Sequence, residues 1–173
     1  MHKVLNILIF CFILFSGTDQ NYLYVDSLYE YKVQVPKWLT INENVENHVF
    51  GGIFHSTDNT ENSIYIHGFE KTEYKTFNDF KFTFIEGNVS GKESLFDLNF
   101  VSKGKNLAKN IENGVRCKLM FERNNNEHHY EFILLETSNN YLWIYFEATP
   151  ETYSENLDKF DDWMKGFTIL EIK

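Results

Sequence analysis

The sequence is short of cysteine, of proline and of positive charge, with two Cys, two Pro and 16 basic against 25 acidic residues in 173. Each shortage excludes something. Cys11 lies in an apolar amino-terminal run, which leaves Cys117 as the one thiol downstream. No disulfide can form within that part of the chain, so its stability must come from packing. A lone thiol on an apolar, strand-like segment reads as a small buried hydrophobe rather than a nucleophile. The net charge of −9 repels phosphate backbones, which argues against nucleic acid as a partner. No apolar run approaches the ~20 residues needed to cross a bilayer as a helix, so no stable membrane span is expected. Neither a Gly-rich phosphate loop nor a Gly-x-Ser-x-Gly elbow occurs, and no Ser/Pro/Gly linker divides the chain.

What is present begins with Lys3 and the run from Val4 to Phe15, apolar apart from Asn6. A basic start and a short apolar run are the layout of a cleaved secretory signal. The expected organisation is a signal over residues 1–17, a lead-in over 18–28 and a single domain over 29–173. Export to the periplasm, the cell envelope or the medium follows. The hydrophobic share of 43%, with 17% aromatic, is that of a packed domain whose core is largely Phe and Tyr.

From Tyr29 onward the pattern is mostly period two, the signature of strands. Tyr31, Val33 and Val35 open it and Pro36 closes it. Val49 to His55 and Ile64 to Phe69 are the next two strands, joined by a polar loop of hairpin length, so they should pair antiparallel. The adjacent Gly51 and Gly52 mark a bulge or the close approach of another element. Leu95 to Val101, Val115 to Glu122, Tyr130 to Glu136 and Leu142 to Ala148 complete the strands, with tight turns expected at Asn113-Gly114 and Asn139-Asn140. Phe77, Phe80 and Phe84 share a helical face after a Thr76–Asp79 capping pattern, with Phe82 off that face and Gly87-Asn88 as the stop. Tyr153, Leu157, Phe160, Met164 and Phe167, joined by Trp163, form the stripe of a second helix that Pro150 opens and Gly166 ends. The last two long strands are apolar on both faces, so layers above and below the sheet are expected, both of them helical. The fold class is therefore α+β, a central antiparallel sheet of six to seven strands with helices on both faces.

This order of elements resembles the PsbP-like superfamily. The carriers are Tyr31-Lys32-Val33-Gln34-Val35-Pro36-Lys37-Trp38, the Gly51-Gly52 hairpin, the Phe-rich segment at 77 to 85, the Asn113-Gly114 turn and strand, and the closing helix from Phe160 to Phe167. The resemblance covers about Tyr29 to Ile169 and implies an α/β/α sandwich. Its members include photosystem II extrinsic subunits, Ran-binding nuclear factors, envelope proteins similar to DcrB and secretion-effector chaperones. These share no reaction, so the resemblance lowers the prior for an enzyme without supplying a function. The targeting segment points to the envelope branch.

A search for chemistry finds scattered groups. His128 and His129 are adjacent and would diverge on a strand, while His55 and His67 lie on neighbouring strands. Asp161-Asp162 and Glu127 with Glu131 are carboxylate pairs that nothing selects for a shared proton. No catalytic residue, metal ligand or cofactor is expected. The leading expectation is a noncatalytic exported protein that binds a protein partner or an apolar ligand. Its candidate surface is formed by Gly51 and Gly52 together with Lys103, Lys105 and Lys109 of the polar run between Lys103 and Asn113. The alternative is a hydrolase assembled from distant groups, with His55, His67 and Glu131 as the positions to test.

Overall fold

The computed structural model describes residues 22–42, 49–86, 94–103, 107–123 and 125–170, and for Glu86, 94–103 and Arg123 the backbone alone. The expected targeting segment, the Gly87-Asn88 stop and Lys105 lie outside these residues. In chain order the elements are β1 (Tyr22–Asp26), β2 (Tyr31–Val35), β3 (Thr40–Ile41), β4 (Phe50–His55), β5 (Glu61–Glu70), α1 (Phe77–Lys81), β6 (Ser94–Lys103), β7 (Asn113–Arg123), β8 (Asn126–Glu136), β9 (Asn140–Ala148), α2 (Pro150–Met164) and β10 (Thr168–Ile169).

Local chemistry sets the hairpins. Between β4 and β5, Asp58 Oδ1 accepts from Ser56 Oγ at 2.7 Å and from Thr60 N at 2.9 Å, and Asn59 takes the left-handed φ of 69°. The strands then pair antiparallel from His55 opposite Glu61 to Phe50 opposite Ile66, as the polar loop implies. Between β8 and β9, Thr137 Oγ1 accepts from Asn140 N at 2.9 Å and returns a bond to Asn140 O at 3.0 Å, closing the turn around Ser138 and Asn139. The expected pair is thus displaced by one residue, because Asn140 is already the first residue of β9.

Asn113-Gly114 is not a turn. Both residues lie in β7, opposite Glu136 and Leu135, and Glu112 N extends the ladder by donating to Glu136 O at 2.6 Å. A backbone already engaged in the ladder with β8 has no use for a reversal. The left-handed residues fall instead at Asn110, with φ 62°, and at Asn125, with φ 61°, in the tight connection from β7 to β8.

β3 to β9 form one seven-stranded antiparallel sheet in the order β3-β4-β5-β9-β8-β7-β6, while β1, β2 and β10 form a second sheet of three. The segment expected as a lead-in therefore contains a paired strand, β1. Alternation along the main sheet divides the core in two. Phe50, Phe54, Ile64, Ile66, Ile133, Leu142, Ile144 and Phe146 point to one face, where they meet Tyr153, Phe160 and Trp163 of α2 and Tyr31, Val33 and Val35 of β2. The other face presents Val115, Cys117, Leu119, Phe132, Leu134 and Tyr141 to Phe77, Phe80 and Ile85.

Both faces are covered, as apolar alternation on both sides demanded, but the first cover is only partly helical. The three-stranded sheet shares it with α2, because β2 buries alternate residues and needs an apolar layer beneath them. On the second face, Thr76 Oγ1 accepts from Asp79 N at 3.1 Å and starts α1, which widens into a π-helical turn over Phe82–Glu86. That widening brings Ile85 into the core beside Phe80 and leaves Phe82 57% exposed. α2 starts at Pro150, and two of its buried polar side chains are tied down: Thr152 Oγ1 donates to Asn62 Oδ1 at 3.0 Å, and Asn156 Oδ1 accepts from Lys159 Nζ at 2.7 Å. Among the described residues no helix is long and apolar enough to cross a membrane.

Candidate functional site

Past β8 the first face of the main sheet changes chemistry. β7 turns Val115, Cys117, Leu119 and Phe121 to the second face, so Arg116 and Lys118 occupy the first. Arg116 Nε donates to Glu131 Oε2 of β8 at 2.7 Å, and its Nη1 pairs with Asp161 Oδ1 of α2 at 2.8 Å. Glu131 is 2% exposed, and its other oxygen accepts a short hydrogen bond from the Tyr153 hydroxyl. Burial works against the Arg116 charge, but the two carboxylates outweigh it and raise its pKa above the ordinary value. Burial first, and then the bond to Glu131, push the Tyr153 phenol up as well. Lys118 Nζ lies 4.3 Å from the centre of the Tyr153 ring, and the Arg116 guanidinium 5.9 Å from that of Phe160.

Beside this network a groove of about 870 Å³ opens between the second half of α2 and the segment 107–111. Ile111, Ile133, Met164 and Phe167 give it apolar walls, Arg116 and Asp161 form its charged side, and the exposed Lys109 and Lys165 stand at its margin. The segment is fixed in place: Leu107 and Ala108 pack on the core, Ile111 is buried, and Asn110 Nδ2 donates to Ile169 O at 3.1 Å. A second hollow of about 570 Å³, reaching Glu30 and Ile169, shares Asn110 with the first.

The residues singled out from sequence do not gather at one place. Gly51 and Gly52 are buried in β4, where an added Cβ would come 2.3 Å from the Tyr65 ring or 2.8 Å from Leu39. Their lack of a side chain serves close packing there. Lys109 lies at the groove, Lys103 ends β6, and Lys105 is outside the described residues. His55 is exposed at the far end of β4. His67 stacks on Trp143 and Tyr145 on the second face, with ring centres 5.1 and 5.8 Å away, and burial lowers its pKa. Glu131 faces the opposite side of the sheet from His67, so the three positions of the hydrolase alternative do not converge. His128 and His129 diverge, to Glu147 at 3.0 Å and to Glu127 at 2.5 Å. Asp161 and Asp162 also separate, the first to Arg116 and the second to Lys165. Among the described residues, no three His, Cys, Asp or Glu side chains are placed to hold a metal ion.

Sequence reasoning missed Arg116. Its only local signal is its place on the polar side of an otherwise alternating strand, and its partners sit 15 residues away on β8 and farther still on α2.

No family model matches the chain, and no curated protein matches it in sequence. Solved structures do match in shape. The solution structure of cyanobacterial PsbP from Synechocystis superposes with a TM-score of 0.54 at 11% identity, covering 89% of this chain and 95% of that one. A Pseudomonas aeruginosa protein of unknown function, PA94, gives 0.57 at 13% identity, covering 88% and 98%. LpqN of Mycobacterium tuberculosis, involved in cell envelope biogenesis, gives 0.55 at 10% identity, covering 90% and 88%. With TM-scores above 0.5 and near-complete coverage in both directions, this chain has the fold of the PsbP-like proteins.

Proposed function

We propose that the protein is a noncatalytic, exported binding protein whose groove beside α2 receives an apolar stretch of a partner protein. The observation that carries this reading is the pairing of an open, apolar-walled groove with charged neighbours that are already committed to one another. Arg116 is neutralised by Glu131 and Asp161, and Glu131 is held on both oxygens, so neither is poised to move a proton on a bound substrate. A pocket for a small molecule encloses most of its ligand, whereas a surface groove of this size suits a segment of a larger partner. Lys109 at the margin would favour an acidic residue flanking the apolar anchors. Export rests on the basic start and the Val4 to Phe15 run, and the likeness to LpqN, itself involved in envelope biogenesis, agrees with a place in the envelope.

The test is selection of binding peptides from a random library displayed on phage, followed by chemical-shift mapping of the best binders on the protein. Peptides with apolar anchors should perturb Ile111, Met164 and Phe167, and Met164→Glu should abolish binding while circular dichroism shows the variant still folded. Peptides that map elsewhere, or binding unaffected by Met164→Glu, would overturn the assignment of the groove.

A further inference from the structure

A different surface carries a second inference, independent of the groove. Exposed large apolar side chains are few among the described residues, and four of the six fall in one short stretch: Tyr22 at 51%, Leu23 at 48%, Val25 at 50% and Leu28 at 47%. That stretch is β1 and the turn after it, and β1 is an edge of the three-stranded sheet, paired with β2 on one side and with no described strand on the other.

Edges of sheets are ordinarily guarded, because an open row of N–H and C=O groups templates another strand. The other edges here follow that rule. β3 and β10 have two residues each, and β6 is broken by irregularities between Leu95 and Asp97 and between Phe100 and Ser102. β1 has five residues, a regular register and one side chain that is charged at neutral pH, Asp26. Asp26 is buried, and its Oδ1 accepts from Leu28 N and Tyr29 N at 2.9 and 2.8 Å, so it does not guard the edge.

We propose that β1 is a self-association strand, through which two copies of the chain join by antiparallel pairing of Tyr22–Asp26 about a two-fold axis at Tyr24. The sequence is complementary to itself in that register. Leu23 faces Val25 of the second copy, and Val25 faces its Leu23, so four apolar side chains close over one another on the outer face. Charge at the seam permits the same occupant. A chain of net charge −9 repels its own copies over most of its surface, but this pairing sets no like charges opposite each other, since Asp26 meets Tyr22. Lys32, opposite Val25 on β2, adds a cation behind the seam. A ladder of five residues is small for an interface, so the dimer is weak.

Sedimentation equilibrium of the purified exported protein reads this directly. The expected result is a concentration-dependent monomer–dimer equilibrium that the double variant Leu23→Lys/Val25→Lys abolishes with no change in urea midpoint. A Leu23→Cys/Val25→Cys variant should form a disulfide-linked dimer under mild oxidation. Thr168→Cys, on the opposite edge of the same sheet, should not. A monomer at every concentration, a dimer that survives the Lys variant, or cross-links to a protein of another sequence in place of a second copy would each overturn the proposal.

Discussion

The Arg116–Glu131 pair is removed from water more fully than most ion pairs, with side chains 16% and 3% exposed. Desolvating two charges costs several kcal/mol, which their attraction and added hydrogen bonds must offset. Here the additions are visible in the Tyr153 hydroxyl and in Asp161. The pair should therefore be costly to break from one side and far less costly to remove whole. Glu131→Gln is expected to destabilise the fold by about 3 kcal/mol, by leaving the guanidinium short of a buried counter-charge. Arg116→Met combined with Glu131→Leu should recover most of that loss. Urea unfolding of both variants and of each single partner completes the cycle. Additive losses would show that the pair is no cooperative unit.

Strands and helices here are positioned by what lies against them as much as by their own propensities. β4 passes close to Tyr65 and Leu39 because Gly51 and Gly52 lack side chains where those two pack. Gly51→Ala should cost about 1–3 kcal/mol, since the Tyr65 ring is stacked on Tyr145 and has little room to retreat. A Tyr65→Ser background should remove most of the penalty, and thermal melts of the single and paired variants would expose an equal cost in both backgrounds. At this scale much was legible in the sequence. The alternation of β2, β4, β5, β8 and β9, the Thr76 cap of α1 and the apolar stripe of α2 all follow from period and capping chemistry. β1 was not legible, because Tyr-Leu-Tyr-Val has no polar alternation to betray a face. Asn113-Gly114 misled because its preference for reversal was overridden by a partner strand.

The molecule as a whole should weaken in alkali. Burial, followed by the nearby Glu131 charge, pushes the Cys117 thiol from an ordinary 9.0 up to about 12, and burial likewise raises Tyr31 and Tyr153. Across that interval the unfolded chain gives up protons that the folded chain keeps, so stability is intact below pH 9.0 and falls as pH rises toward about 12. Urea midpoints measured through this range should decline, and less steeply for Cys117→Ala. A flat profile would mean that these groups are not shielded as the structure places them. By itself the sequence determined the α+β class of the chain, its two-sided core and the resemblance to PsbP-like proteins, and it supplied the expectation of export. Those depend on composition and on periodicities that neighbouring residues express together. Only the tertiary structure decided that a second sheet shares the first cover, that Arg116 is held between β8 and α2, and that a groove opens beside them. Such features arise between segments far apart in the chain, and they become definite only when strand register and helix placement bring those segments into contact.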